Sequence, residues 1–86
     1  MGKVMITFRL MPDGPETDLE KIEEDAKGIL GDSFKNAQSK PFAFGLNALF
    51  IVCVVPDEQG AADRLESSLS QIDNVQGIEI VGVDLV

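Results

Sequence analysis

The side chains that could carry chemistry in this sequence of 86 residues are mostly carboxylates. There are 15 acidic residues, 7 basic residues, no histidine and a single cysteine, Cys53. One chain with this composition cannot assemble a structural zinc site or a disulfide framework. Cys53 lies inside an apolar run, where we expect a small buried thiol rather than a reactive one. The sequence therefore predicts neither a metal ion nor a cofactor.

Two aromatic residues in the segment "PFAFG", residues 41–45, are better suited to binding a partner. Phe42 and Phe44 are separated by one residue, so an extended backbone places both rings on the same face. Their neighbours Pro41, Ala43 and Gly45 are too small to shield them, and Gly45 permits backbone angles that would turn Phe44 outward. Either the rings fill the core, as is usual at the start of a strand, or at least one ring is exposed and anchors an interface with a partner.

The elements that must position these rings follow from the spacing of apolar residues. Residues 3–11 alternate, which predicts a strand that ends at "PDGP". Thr17 and Glu20 form a capping-box pattern at the start of a helix that stops at Gly31. The charged residues Glu20, Glu23, Glu24 and Lys27 are interpreted as a solvated face of this helix rather than a catalytic cluster. Its predicted apolar stripe is Leu19, Ile22, Ala26, Ile29 and Leu30.

The second half of the chain repeats this alternation of elements. Residues 33–44 predict an edge strand, because Pro41 cannot donate to a ladder, and residues 46–55 predict a central strand covered on both faces or nearly so. A helix over 60–73, a turn at "NVQG" and a last strand with a bulge near Gly82 follow. The predicted inward residues of that helix are Ala62, Leu65, Leu69 and Ile72.

The order strand, helix, strand, strand, helix, strand predicts an α+β fold, the ferredoxin-like βαββαβ sandwich. It has a four-stranded antiparallel sheet with both helices on one face, formed as a single domain by residues 1–86. Many unrelated functions use this fold, so the fold does not identify an activity.

The charge distribution limits the classes of partner. The net charge is −8, and Arg64 is the only basic residue after Lys40. Nucleic acids and anionic membranes both require clustered Lys and Arg, so neither is expected as a direct partner. No apolar segment reaches the ~20 residues that a membrane helix needs, and the start has no signal pattern. We expect an intracellular protein with a basic protein partner.

The segment "PFAFGLNALFIVCVVPDEQG" resembles the signature of the nucleotide-exchange domain of translation elongation factor 1-beta. The start, "VMITFRLMPDGPETDLEKI", is similar to that of archaeal members of this family. The resemblance implies a cytoplasmic guanine-nucleotide exchange factor, not an enzyme, that is monomeric alone and acts on the GTPase elongation factor 1-alpha. It also implies that Phe44 inserts near the nucleotide site of the GTPase. Phe42 supports it, and Pro41, Ala43 and Gly45 complete the partner-binding segment.

One part of the family mechanism does not transfer to this chain. Eukaryotic members use a lysine near the carboxyl end to disturb the magnesium site, and Leu85 occupies the matching position here. Two alternatives share the fold. A regulatory domain of the ACT type would bind a small molecule at "MPDGPETDL", and an acylphosphatase would use Arg9 and Asn47, but no glycine-rich anion loop joins these two residues.

Overall fold

The computed structural model describes residues 2–43 and 45–86. The elements within these residues are β1 (Lys3–Pro12), α1 (Leu19–Leu30), a 3-10 turn (Gly31–Ser33), β2 (Phe34–Ala43), β3 (Leu46–Pro56), α2 (Ala61–Ser70) and β4 (Val75–Leu85). These four strands form one sheet in the order β2-β3-β1-β4, and its three strand pairs are antiparallel. The predicted element order and the ferredoxin-like fold are confirmed.

The core lies between the sheet and the helices, and strand β1 supplies its centre. The predicted alternation is confirmed, because Val4, Ile6, Phe8 and Leu10 are all buried while the residues between them are partly exposed. Each such side chain contributes roughly 1.5–3 kcal/mol when it is fully buried. Residues of both helices pack into the same cluster, so both helices cover one face of the sheet. The opposite side of the sheet is called the open face below.

Helix α1 begins one residue later than predicted. The Asp18 carboxylate, rather than the Thr17 hydroxyl, caps the helix by accepting a hydrogen bond from the Glu20 backbone N–H at 3.0 Å. The Thr17 hydroxyl instead donates to Asp13 at 2.7 Å. The capping-box prediction is therefore wrong, because an aspartate one position further on offers an equally good acceptor.

The apolar stripe of α1 is narrower than predicted. Ile22, Ala26 and Leu30 are buried and Leu19 packs against them, but the Ile29 side chain is 41% exposed. Ile29 lies in the last turn of the helix, where it lines an open cleft together with Gln71 and residues 72–73 that follow α2. The two helices leave this cleft uncovered, so the prediction for Ile29 is wrong.

Helix α2 is shorter than the predicted span of 60–73. Leu69 is buried within it, and Ile72 is buried just beyond its end, while Ala62 and Leu65 are partly buried. No helix within residues 2–43 and 45–86 is long and apolar enough to cross a membrane.

Strand β3 is central, as predicted, but both helices cover the same face of it. Leu49, Ile51, Cys53 and Val55 point into the core and are buried. The alternate positions 50, 52 and 54 are only partly buried, because both helices lie on the other side of the sheet. The prediction of cover on both faces, or nearly so, holds for Ala48, which is buried on the open face, but positions 50, 52 and 54 are less covered than their neighbours on the core face.

The last strand starts earlier than predicted. Asn74 has φ 72°, and β4 begins at Val75, so only the first residue of "NVQG" forms the turn. The bulge predicted near Gly82 is confirmed, since Thr7 pairs with Gly82 and Phe8 pairs with Ile80. Val81 is the extra residue of this bulge.

Candidate protein-binding site

The aromatic segment lies at the hairpin between β2 and β3. Ala43 on β2 pairs with Leu46 on β3, and these two residues close the described part of the hairpin. Gly45 has φ 79°, in the left-handed region that favours glycine. Phe44 lies outside the described residues, and the prediction that its ring inserts into a partner stays a prediction.

Phe42 is held on the open face of the sheet. Pro41 pairs with Asn47 and Ala43 with Leu46, so Phe42 is an extra residue at a bulge. Its ring lies over the guanidinium of Arg9, with 4.7 Å between Cζ and the ring centroid, and Phe42 is 46% exposed. The ring is thus half available to a partner and half used in packing.

Arg9 contacts the Phe42 ring, although no pattern in the sequence predicts that these two residues are neighbours. It lies on β1 between the buried Phe8 and Leu10, so its side chain extends over the open face. One NH2 group of Arg9 forms an ion pair with Glu79 on β4 at 2.7 Å. The contacts of Arg9 with Phe42 and Glu79 depend on the strand register and on the bulge at Phe42, which no local pattern in the sequence reveals.

Cys53 takes no part in this site. It is buried in the core, on the face of β3 that points away from Phe42. Burial raises the pKa of the Cys53 thiol, and a hydrogen bond with the Ile6 backbone offsets part of this shift. The prediction of a buried thiol is confirmed, and the raised pKa keeps it in the less reactive protonated form.

The end of β4 carries a strip of exposed apolar side chains. Leu85 is 79% exposed and Val83 is 56% exposed, and they pair with Val4 and Ile6 on β1. Leu85 has no charged group, so it cannot supply the ammonium group that the resemblance to this family implies at this position.

The structure separates the two residues that an acylphosphatase site would use. Arg9 and Asn47 are not brought together, because Arg9 pairs with Phe50 and Asn47 lies three residues before Phe50, on the opposite face of β3.

The "MPDGPETDL" segment contributes Asp13 and residues 14–18 to a shallow depression of about 420 Å³, which Asn74 completes. The charged residues that line this depression, Asp13, Glu16 and Asp18, are all acidic.

These observations define an α+β domain of the ferredoxin-like class whose open face carries an aromatic residue at a glycine hairpin. Its sequence matches that of the EF-1 guanine nucleotide exchange domain over residues 5–86. The chain belongs to this family.

Similar proteins match it over almost their whole length. Elongation factor 1-beta of Methanoregula boonei is 39% identical over 85 residues, which covers 99% of each chain. Elongation factor 1-beta of Methanosphaera stadtmanae is 36% identical over 84 residues, or 96% of each chain. That of Archaeoglobus fulgidus is 34% identical over 88 residues and covers 100% of both chains.

Proposed function

We propose that this chain promotes the exchange of guanine nucleotide on the GTPase elongation factor 1-alpha and so supports aminoacyl-tRNA delivery during translation. The match to the exchange-domain family over residues 5–86 carries this proposal. The similar proteins named elongation factor 1-beta add support, because the alignments cover nearly the whole of each chain. Exchange makes and breaks no covalent bond, so the chain acts as a regulator. We place this function in the cytoplasm, with a free chain that is monomeric.

The mechanism we propose is insertion of Phe44 near the nucleotide site of the GTPase. Phe42, which is half exposed at the same hairpin, provides a second aromatic contact. Pro41 and Gly45 are exposed and shape the tip, while Ala43 completes the segment. The net charge of −8 favours a basic surface on the GTPase.

Burial of an aromatic ring can supply free energy of the same order as faster nucleotide release requires. An exchange factor and the nucleotide weaken each other's binding by the same factor. A thousandfold faster release needs about 4 kcal/mol off the dissociation barrier. Burial of one phenylalanine supplies roughly 1.5–3 kcal/mol, and neighbouring contacts supply the rest. This energy accelerates release only if the pocket for the ring exists when the nucleotide site is distorted.

The test is nucleotide release from purified elongation factor 1-alpha loaded with a fluorescent guanine nucleotide. We expect the wild-type chain to accelerate release, Phe44→Ala to lose most of this effect and Phe42→Ala to lose part of it. Ile29→Ala is the matched control, because it truncates a side chain that is 41% exposed on α1, away from the hairpin. We expect it to match the wild type.

Thermal unfolding of each variant separates function from folding. We expect Phe44→Ala to remain folded with nearly unchanged stability. If Phe44→Ala unfolds, the ring fills the core and the insertion mechanism is wrong. If the wild-type chain fails to accelerate release at all, the proposed function itself is wrong.

A further inference from the structure

The Arg9 side chain joins three strands across the open face. Its guanidinium contacts both the Phe42 ring, with 4.7 Å from Cζ to the centroid, and the Glu79 carboxylate, with 2.7 Å between Nη2 and Oε1. Phe42 belongs to β2 and Glu79 to β4, which are the two edges of the sheet. We call this arrangement the Glu79–Arg9–Phe42 stack.

The stack differs from the other charged contacts within the described residues. The Arg9–Glu79 distance of 2.7 Å is the shortest among the ion pairs found there, and its side chains are 21% exposed for Arg9 and 59% exposed for Glu79. The Arg64–Glu58 pair, by comparison, spans 3.5 Å and has side chains that are 65% and 63% exposed. Because the Arg9 side of this ion pair is shielded from water, solvent weakens it less than a pair in which both side chains are exposed.

The chemistry of the guanidinium suits both contacts at once. Its planar face can lie on an aromatic ring while its in-plane N–H groups donate to a carboxylate. The Nε of Arg9 is buried and has no hydrogen-bond partner among the described residues. The side chain therefore keeps its position although one donor is left unsatisfied, which indicates that the ring and the carboxylate together determine where it lies.

Phe42 depends on this contact more than a regular strand residue would. It is the extra residue between the pairs Pro41–Asn47 and Ala43–Leu46, so no residue of β3 lies directly opposite it. An unpaired bulge residue lacks the cross-strand neighbour that ordinarily fixes a side chain. The Arg9 guanidinium takes the place of that neighbour.

We propose that Arg9 is a positioning residue for the exchange reaction, which holds Phe42 and thereby the aromatic hairpin in the orientation that docks on the GTPase. This inference rests on the proposed function. Arg9 acts through Phe42, and Glu79 fixes Arg9 from the other edge of the sheet.

The first experiment measures the position of residue 42 without any partner. The chain contains no tryptophan and no tyrosine, so Phe42→Trp introduces a single reporter fluorophore. We combine Phe42→Trp with Arg9→Met, Arg9→Lys or Arg64→Met and measure quenching by acrylamide. Because Phe42 is 46% exposed, release of the ring by Arg9→Met should raise the quenching constant about twofold.

The controls separate the stack from general effects of charge removal. Arg64→Met also removes one positive charge from an ion pair, and it should leave quenching unchanged. Arg9→Lys keeps the positive charge but loses the planar guanidinium, so we expect an intermediate quenching constant. Unchanged quenching in the folded Arg9→Met chain would overturn the proposal.

The second experiment measures nucleotide release from elongation factor 1-alpha with the native Phe42 in place. At limiting concentration of the chain, we expect Arg9→Met to lower stimulated release about fivefold, Arg9→Lys to restore part of it and Arg64→Met to have no effect. Increased quenching with unchanged release would show that Arg9 only packs against Phe42, and would overturn its role in exchange. If the wild-type chain itself gives no stimulation, the proposed function fails, whatever the quenching experiment shows.

Discussion

Substitution of Gly45 tests whether the aromatic hairpin has the geometry described here. Gly45 has φ 79°, and a Cβ added to it would meet no described atom within 4 Å beyond its chain neighbours. The cost of Gly45→Ala is therefore conformational rather than steric. A left-handed backbone costs an L-residue roughly 1–2 kcal/mol, and the loss of freedom in the unfolded chain returns about 0.4–1 kcal/mol. We expect a net destabilisation of about 1 kcal/mol.

Gly28→Ala is the matched control for this substitution. Gly28 lies inside α1, and a Cβ there would also meet no described atom within 4 Å. Alanine in a helix interior is favoured over glycine, so Gly28→Ala should stabilise the chain by about 0.5–1 kcal/mol. Gly45→Asn should lie between Gly45→Ala and the wild type, because asparagine tolerates the left-handed region.

The assay is equilibrium unfolding in urea followed by far-ultraviolet circular dichroism. If Gly45→Ala stabilises the chain as much as Gly28→Ala does, Gly45 does not adopt a left-handed conformation in solution. The geometry described for the hairpin would then be wrong, and with it the support for the proposed binding segment.

Two further predictions concern the core and the first helix. Because burial raises the pKa of Cys53, the folded state holds its thiol proton more tightly than the unfolded state, and this contribution to stability is lost as pH rises through the thiol range. The free energy of unfolding of the wild type should fall more steeply than that of Cys53→Ala from about pH 7 to about pH 10; parallel curves would contradict this. Asp18→Ala should lower the free energy of unfolding by about 1 kcal/mol, and Thr17→Ala by less; the reverse order in urea unfolding would restore Thr17 as the cap.

The fold could be predicted because its determinants are local. Alternation along β1 identified Val4 and Phe8 as core residues, and the structure buries both. Spacing along the sequence does not predict burial where the neighbouring elements decide it. Ile29 fits the apolar stripe of α1 by its spacing, yet it is exposed because the adjacent cleft is open.

Only part of the candidate site could be predicted from the sequence. The segment containing Phe42 stands out by composition, and Phe42 is indeed a partly exposed residue. Its contact with Arg9 and the link from Arg9 to Glu79 join residues on three strands. These contacts follow from the register of β1 with β4 and from the bulge at Phe42, which single-sequence periodicity does not encode.

The most direct test of the account measures the coupling between this chain and GDP on elongation factor 1-alpha. The dissociation constant of the chain is measured for the GDP-bound and the nucleotide-free GTPase, and that of GDP with and without saturating chain. We predict that each partner weakens the other, and by the same factor, as linkage requires. Equal affinity of the chain for both forms of the GTPase would contradict the account, because such binding could not shift the nucleotide equilibrium.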